Sequence, residues 1–404
     1  MPGIKEIILK QSSDLKDEVI RLRRHFHKFP ELSYEETGTA SFICNWLQKN
    51  GIEYRNGIAG TGIIGTIKGK ENGKMVIAIR AEMDALPVTE RNLTDYASVN
   101  KGKMHACGHD AHMAMLLGTA HLLNAISGQF GGTVLLIFQP GEEKSPGGAR
   151  LMIKSGELNK PKPDIIIAQH ILPELQTGKV GYKTGRYMAS CDEIYLTVSG
   201  IGGHAALPGL TTDQIYIAST LVVRLKDRIL MQQTVNKTPT VMGIGRISGE
   251  GATNVIPEKV EIAGTFRTFD EKWRSAGLAL VKRIARDTAQ EFGVRIDVRI
   301  EEGYPVLVND NNLTARAMKY SKELFGEEKI EPFDIRMSSD DFSFYSALAP
   351  SLYYRIGTRK EGDELRKLHT ADFDIDEESL TAGVANLTWL VYNFLSYNSD
   401  HTTH

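Results

Sequence analysis

Three short runs of almost wholly apolar residues constrain the fold of this 404-residue chain more than any other feature. Residues 75–79, 133–138 and 164–168 read MVIAI, TVLLIF and DIIIA, and polar residues follow each of them directly. Runs of this length and composition are typical of strands that are buried on both faces of a sheet. A helical pattern over residues 110–126 separates the first run from the second. The sequence therefore predicts an α/β fold built on a buried sheet.

The polar residues that follow these runs include side chains that bind metal ions. Asp84 follows the first run, Glu142 and Glu143 follow the second, and His170 follows the third. Open α/β sheets place their sites beyond the carboxyl ends of the strands, so these side chains are expected to lie near one another. We interpret Asp84 as a carboxylate that orients a histidine ligand by a hydrogen bond. The alternative is an Asp that caps a loop before Pro87.

A second concentration of such residues lies in the segment MHACGHDAH at residues 104–112. Its Cys107 and His109 are predicted to lie on a loop at the start of a helix. A Cys-x-His pair there either binds a metal or acts as a nucleophile and its base. Within the same segment, Asp110 is predicted to cap the helix, and His105 and His112 to pack or to form hydrogen bonds.

Together these segments give a candidate metal site. Its members are Cys107, His109, Glu142, Glu143, His170 and His369. A mixed sulfur, nitrogen and oxygen set suits Zn²⁺, Mn²⁺, Co²⁺ or Ni²⁺ better than Ca²⁺ or Mg²⁺. Five ligands are too many for one catalytic zinc, so two ions that share a ligand fit better, with the remaining carboxylate as general base.

Two alternatives to a metal enzyme stay open on the residues alone. A cysteine hydrolase would use Cys107 with a histidine, but it leaves Glu142, Glu143 and His170 without a role. In a binding or scaffold protein, the same residues would be unrelated members of surface loops.

Composition excludes several classes of partner. The net charge is −2, and Lys and Arg are spread along the chain, so neither nucleic acid nor an anionic membrane is an expected partner. No apolar run approaches the ~20 residues of a membrane span, and the first ten residues do not resemble a signal peptide. The three cysteines, Cys44, Cys107 and Cys191, are too few for a disulfide framework. The expected location is the cytoplasm.

From residue 193 to residue 301 the order of predicted elements is β-α-β-β-α-β, that of a ferredoxin-like unit. We predict that residues 188–302 form an inserted domain between residues 1–187 and 303–404, which form one discontinuous metal-binding domain. The loops of the insert contain His204 and Asn254. No role is predicted for the two histidines of the polar tail, His401 and His404.

These motifs resemble a known family. HACGHD at residues 105–110, QPGEE at residues 139–143, and His369-Thr370 followed by Phe373-Asp374 are similar to the amidohydrolase branch of the dinuclear-metal aminoacylase/carboxypeptidase metallopeptidases. That branch includes hippurate hydrolases, N-acyl-L-amino acid amidohydrolases and auxin-conjugate hydrolases. Supporting matches occur in the same order along the whole chain, at residues 23–32, 80–87, 203–206, 254–257 and 341–342.

The resemblance implies a mixed-sheet, exopeptidase-like catalytic domain with a ferredoxin-like lid that also forms a homodimer or higher oligomer. It implies metal ligands at Cys107, His109, Glu143, His170 and His369, with Glu142 as general base for a metal-activated water. It implies that His204 reaches across the dimer to polarise the amide. It also implies that Asn254 and Arg267 hold the substrate carboxylate, which a guanidinium meets in bidentate fashion.

The substrate class that the resemblance implies is an N-acyl amino acid whose acyl group is not specified. A dipeptidase or carboxypeptidase of the same metal-dependent class is the alternative. The chain departs from the branch at four positions. Glu82 stands where Asp is more common, Gly141 where Ala is usual, and Ser338 and Asp340 where Gly and Glu are common. None of these changes removes a predicted ligand, and the last two bear on substrate choice.

Overall fold

A computed structural model describes residues 3–397 of the chain. These residues divide into two compact units. The first contains residues 3–185, 308–334 and 344–397, and the second contains residues 186–307 and 335–343. His401 and His404 lie outside the described residues. Between residues 3 and 397, no helix is both long enough and apolar enough to cross a membrane.

The regular elements are numbered here in chain order. The helices are α1 (Ile4–Asp14), α2 (Lys16–Lys28), α3 (Thr37–Lys49), α4 (His109–Ala125), α5 (Gly148–Lys154), α6 (Gln214–Asn236), α7 (Glu271–Phe292), α8 (Asn311–Phe325), α9 (Ser343–Leu348) and α10 (Glu378–Tyr397). The strands are β1 (Glu53–Ile58), β2 (Gly62–Lys68), β3 (Glu71–Glu82), β4 (Gly131–Gln139), β5 (Ile165–Gln176), β6 (Val180–Tyr182), β7 (Gly185–Met188), β8 (Cys191–Ser199), β9 (Gly203–His204), β10 (Thr240–Ser248), β11 (Val255–Ile256), β12 (Lys259–Thr268), β13 (Arg295–Tyr304), β14 (Leu307–Asn309), β15 (Ile330–Pro332) and β16 (Ser351–Arg359).

The first unit is built on an eight-stranded mixed sheet with the order β1-β2-β4-β3-β5-β16-β6-β15. The three apolar runs of the sequence are the cores of β3, β4 and β5, which lie side by side and parallel at the centre. Strands β1, β2 and β6 run antiparallel to neighbours. The predicted α/β fold with a mixed sheet is confirmed.

Helix α4 is buried along almost its whole length and contacts β3, β5, α2 and α10. Its sequence is apolar on most sides, as expected for a helix enclosed by other elements. Because Cys107 and His109 lie at its N-terminal end, this packing fixes their place beside the central strands.

Arg23 of α2 is fully buried, and its guanidinium binds three carboxylates. The distances are 2.9 Å to Asp110, 2.6 Å to Asp374 and 3.2 Å to Glu377. The prediction that Asp110 caps α4 is wrong, because the N-cap residue is Gly108 and no side chain bonds to the cap. The carboxylate of Asp110 instead pairs with Arg23, and the positive charge holds the pKa of Asp110 far below its ordinary value despite burial.

Replacing Arg23 by methionine is expected to destabilise the protein by about 3–5 kcal/mol, because it leaves buried carboxylates without a counter-ion. The matched control is Arg21→Met on the same helix. Arg21 is exposed and pairs only with the exposed Glu18, so its loss should cost less than about 1 kcal/mol. Urea unfolding followed by circular dichroism measures both. Equal midpoints for the two variants would contradict the stabilising role of Arg23.

Strand β5 differs from the prediction in its length. The apolar run suggested that the strand ends before His170, but β5 continues to Gln176. Residues 171 and 172 still pair with β16, at Ile356 and Gly357. His170 therefore projects from the interior of a central strand rather than from a loop, which gives it a more rigid backbone.

The second unit is an antiparallel four-stranded sheet with the order β10-β12-β8-β13. Helices α6 and α7 pack against this sheet with a core of their own. This is the ferredoxin-like connectivity expected from the sequence. A short antiparallel ribbon of β9 and β11 carries His204 opposite Val255.

Candidate metal centre

Four segments of the first unit bring the predicted ligands together. Cys107 and His109 flank Gly108, the N-cap residue of α4, whose φ of +84° is readily adopted only by glycine. Glu143 lies in the loop after β4, His170 lies in β5, and His369 lies in the loop between β16 and α10. His369 also has a positive φ, +63°, which is strained for a residue with a side chain.

The donor atoms of these residues converge. The Sγ of Cys107 is 3.5 Å from Nε2 of His170 and 3.3 Å from Nε2 of His369. Glu143 Oε1 is 3.5 Å from Nε2 of His369 and 3.9 Å from Nε2 of His109. The structure thus places all five predicted ligand side chains in one cluster of sulfur, nitrogen and oxygen atoms.

Hydrogen bonds fix which nitrogen of each buried histidine faces the cluster. Nδ1 of His109 lies 2.8 Å from the carbonyl oxygen of Asp84, and Nδ1 of His170 lies 2.7 Å from that of Ile171. A carbonyl only accepts, so both Nδ1 atoms carry a proton, and in the neutral form of each ring Nε2 presents a lone pair. This is the usual arrangement of a metal-binding histidine, whose other nitrogen donates to an oxygen.

The donor set fits divalent cations. Within residues 3–397, the buried atoms His109 Nε2 and Glu143 Oε1 accept or donate no hydrogen bond. Burial and the carboxylates of Glu143 and Glu142 raise the pKa of the Cys107 thiol well above its ordinary range. Burial lowers the pKa of His109, but the hydrogen bond to Asp84 and the nearby carboxylates raise it to about 10. These shifts record a surplus of negative charge that bound cations would neutralise.

Two overlapping groups of ligand atoms share Glu143. One consists of Cys107, Glu143 and His369, the other of His109, Glu142 and Glu143, and in each group the atoms lie within 4.8 Å of one another. A side chain common to two groups is what a pair of neighbouring ions requires. Glu142, the predicted general base, is buried beside these atoms.

Asp84 occupies the position expected of a residue that orients a ligand. Its Oδ1 is 3.4 Å from Nδ1 of His109, and its Oδ2 accepts a 2.9 Å hydrogen bond from the backbone N–H of Glu143. Ser33 Oγ donates to the same Oδ2 at 2.6 Å. The carboxylate of Asp84 therefore contacts two predicted ligands, the ring of His109 and the backbone of Glu143.

His112 forms buried hydrogen bonds, as expected from the sequence, and its partner Glu82 was not predicted. Nδ1 of His112 is 2.8 Å from Glu82 Oε2, and its Nε2 accepts from the backbone N–H of Ile171 at 3.0 Å. Both ring nitrogens are therefore occupied, so His112 is not available as a ligand although it lies beside His170. Burial alone would raise the pKa of Glu82, but Arg80 and His112 hold it well below its ordinary value.

The other predicted site residues belong to the second unit. His204 is exposed, and its Nδ1 accepts from the backbone N–H of Ala206 at 3.1 Å, so the proton of the neutral ring is on Nε2. The structure brings Asn254 next to it, with the carbonyl of Asn254 accepting from Ala205. Arg267 lies near the C-terminal end of β12. Its Nη1 donates to the carbonyl oxygen of Met337 at 3.1 Å and lies 3.3 Å from Ser339 Oγ.

The cluster of cysteine, histidine and glutamate side chains beside the central strands of a mixed sheet is a candidate metal site in an α/β fold. Residues 78–393 match the peptidase family M20/M25/M40, and the chain belongs to this family. Metal-dependent hydrolysis of amide bonds, expected from the sequence, is therefore its class of reaction.

Similar proteins cover between 76% and 96% of the chain. Thermostable carboxypeptidase 2 of Saccharolobus solfataricus is 35% identical over 96% of this chain and 99% of its own length. An N-acyl-L-amino acid amidohydrolase of Geobacillus stearothermophilus is 37% identical over 76% of this chain and 81% of its own. Among solved structures, a dinuclear metal-binding peptidase of the M20 family from Bacillus subtilis is 32% identical with a TM-score of 0.82, covering 95% of this chain and 99% of that one.

Proposed function

We propose that this protein hydrolyses the amide bond of N-acyl amino acids with two divalent metal ions, which are Zn²⁺, Mn²⁺, Co²⁺ or Ni²⁺. The observation that carries the proposal is the convergence of five donor side chains, Glu143 among them, with Glu142 directly beside Glu143 and His109. The proposed ligands are Cys107, His109, Glu143, His170 and His369. Bound divalent ions would lower the pKa of a water toward neutrality and polarise a carbonyl oxygen.

The role proposed for Glu142 is proton transfer. Its carboxylate takes the proton of the attacking water and then delivers it to the nitrogen of the leaving amine. A carboxylate suits both steps because it accepts a proton in the first and returns it in the second. Glu143 is proposed as a ligand, so two adjacent residues of one type have different tasks.

A cysteine nucleophile is disfavoured by the surroundings of Cys107. A reactive thiolate needs an electropositive setting, and this thiol is buried beside the carboxylates of Glu142 and Glu143. These carboxylates disfavour a free thiolate, whereas a thiolate that ligates a metal ion is stabilised by that ion.

A carboxypeptidase or dipeptidase activity of the same class is the second candidate, because one relative carries the name carboxypeptidase. A hydrolysis screen on metal-reconstituted protein separates the two. It should include N-acetyl and N-benzoyl amino acids, longer acyl and indole-acetyl conjugates, free dipeptides and peptides with an acylated amino terminus. Turnover confined to substrates with a free amino group would contradict the N-acyl proposal.

We propose that the inserted domain, residues 188–302, acts as a lid and dimerisation domain. His204 carries a donor Nε2–H, which suits an amide oxygen that gains negative charge. His204 and Asn254 lie together on the β9–β11 ribbon, whereas Arg267 is eight residues along β12 from Lys259, or about 26 Å of strand. We propose that the two sets serve one substrate by coming from different protomers.

The surface of α6 supports a partner of the same kind. Its buried face consists of Ile217, Leu221, Leu225 and Ile229. A second apolar stripe of Tyr216, Val223 and Leu230 follows the opposite side at seven-residue intervals, and each of these side chains is more than half exposed. Apolar stripes of this kind mark interaction surfaces. The proposed occupant is a second copy of this chain.

Replacing Val223 by glutamate is expected to convert a dimer into a monomer and to lower kcat, because a charge would have to be buried in the interface. Arg228→Gln is the control, since it makes the same change in net charge on another side of α6. Sedimentation velocity and hydrolysis rates are measured for both. A fully active monomer would show that His204 does not act across a dimer.

A cytoplasmic location is also proposed. Cys44, Cys107 and Cys191 are all free thiols, as expected in a reducing compartment.

A further inference from the structure

We propose that Tyr34 and Glu36 are positioning residues for the catalytic carboxylates. They precede and begin α3, and they hold the loop after β4 on both sides of Glu142 and Glu143. We call this pair the clasp. The inference rests on the roles proposed above for Glu142 and Glu143, and it adds what places those two side chains.

Glu36 holds the loop at the residue before Glu142. Its carboxylate is fully buried, and Oε1 accepts hydrogen bonds from the backbone N–H of Gly141 at 2.8 Å and of Tyr34 at 2.9 Å. Oε2 accepts from Thr61 Oγ1 at 2.7 Å. A buried carboxylate is tolerated only when its oxygens are bonded, and bonds to an ionised acceptor are strong. The residue bonded this way, Gly141, directly precedes Glu142.

Tyr34 holds the loop at the residue after Glu143. Its hydroxyl donates a 2.8 Å hydrogen bond to the carbonyl oxygen of Lys144, the residue after Glu143. Its own backbone has a φ of +69°, a left-handed conformation that is uncommon for a bulky residue. Such strain persists where the surrounding contacts enforce it, and it is found mostly at functional sites. Here the enforcing contacts are those to Glu36 and to the loop.

Gly141 and the ring of Tyr34 are matched in shape. Gly141 has a φ of +56°, and the three atoms nearest to a Cβ built on it all belong to the Tyr34 ring. The ring therefore fills the space that an alanine side chain would need. This explains in physical terms why a glycine stands at this position.

A third contact ties the same segment to the metal centre. Ser33, the residue before Tyr34, donates to Asp84 Oδ2, which also accepts from the backbone N–H of Glu143. The loop is thus held at Gly141, at Glu143 and at Lys144 by one short segment. A displacement of a catalytic group by about 1 Å can cost 10²-fold in rate, so this support bears directly on turnover.

The test is Gly141→Ala, which forces a methyl group into the Tyr34 ring. We expect kcat to fall about 10- to 100-fold, with KM, metal content and thermal midpoint close to those of the control. The control is Gly51→Ala. Gly51 has a φ of +67° but nothing within 4 Å of its Cβ position, so it carries the backbone strain without the clash. Its kcat should equal that of the wild type.

A double-mutant cycle shows whether the ring is the cause. In the Tyr34→Ala background, adding Gly141→Ala should lower kcat by less than about threefold, because the clash is gone. Tyr34→Phe keeps the ring and loses only the bond to Lys144, so it should lose less activity than Tyr34→Ala. Equal effects of Gly141→Ala in the two backgrounds, or wild-type kcat in the single variant, would overturn the clasp.

Glu142→Gln separates this inference from the function beneath it. If Glu142→Gln retains kcat, the proposed function of the loop is wrong. If Glu142→Gln is inactive while Gly141→Ala is fully active, only the clasp is wrong.

Discussion

Replacing Glu142 by glutamine is expected to lower kcat by about 10³-fold while the metal content stays at the wild-type level. Glutamine keeps the size of the side chain but cannot take up and return a proton. Glu142 is buried next to the cluster of donor atoms, so the lost rate should reflect chemistry rather than a change in binding. The measurements are kcat and KM on an N-acyl amino acid, together with metal analysis of the same protein.

The adjacent Glu143 provides the matched control. Glu143→Gln removes a carboxylate that lies 3.5 Å from His369 and 3.9 Å from His109, so it should lose metal first and activity as a consequence. Part of that activity should return when divalent ion is added in excess. A Glu142→Gln variant that retains more than about a tenth of wild-type kcat would contradict the assignment of the general base.

Removal of the metal ions is expected to abolish hydrolysis and to lower stability. Dialysis against a chelator should reduce the hydrolysis rate to that of buffer without enzyme. Added Zn²⁺, Mn²⁺, Co²⁺ or Ni²⁺ should restore the rate. An ion at 100 times its Kd stabilises the folded state by about 2.7 kcal/mol, so the thermal midpoint should rise and fall with the activity. Activity that survives full removal of metal would contradict the metal mechanism.

Cys107→Ser distinguishes the role of the thiol. As a metal ligand, the weaker oxygen donor should lower metal affinity, and added ion should recover part of the activity. As a nucleophile, Cys107 would be required even at saturating metal, and chelation would leave the wild type active. The two sets of outcomes do not overlap.

The sequence predicted that the proposed metal ligands and Glu142 lie close together, because they follow segments where local patterns are strong. Strands β3 and β4 end at Glu82 and Gln139, and the residues beyond adjacent parallel strands necessarily meet. The position of His170 is not predicted correctly, because the sharp change in polarity after Ala168 resembles the end of a strand. Pairing with β16 extends β5 further, and the local sequence does not indicate a pairing partner almost two hundred residues away.

The supports of the site were less accessible to sequence analysis. Arg23 lies in a basic run near the end of α2, and the composition of that run does not indicate a buried side chain. Its partners Asp110 and Asp374 are 87 and 351 residues away. Glu36 likewise resembles a solvated residue at a helix start, but it is bonded to Gly141, 105 positions later. A polar residue is read from the sequence as exposed unless its distant partner is known. The departure at Gly141 is the local sequence feature that relates to the contact between Glu36 and the loop.

The discontinuity of the first unit has a consequence for its synthesis on the ribosome. Its core helix α4 contacts α10, and its central strand β5 pairs with β16, so both require segments from the last sixth of the chain. Most of the inserted unit, Arg186–Leu307, leaves the ribosome before those segments are made. We expect this unit to fold first during translation, while the apolar strands around the future metal centre wait for the C-terminal residues. Chaperone dependence should therefore be greatest late in translation.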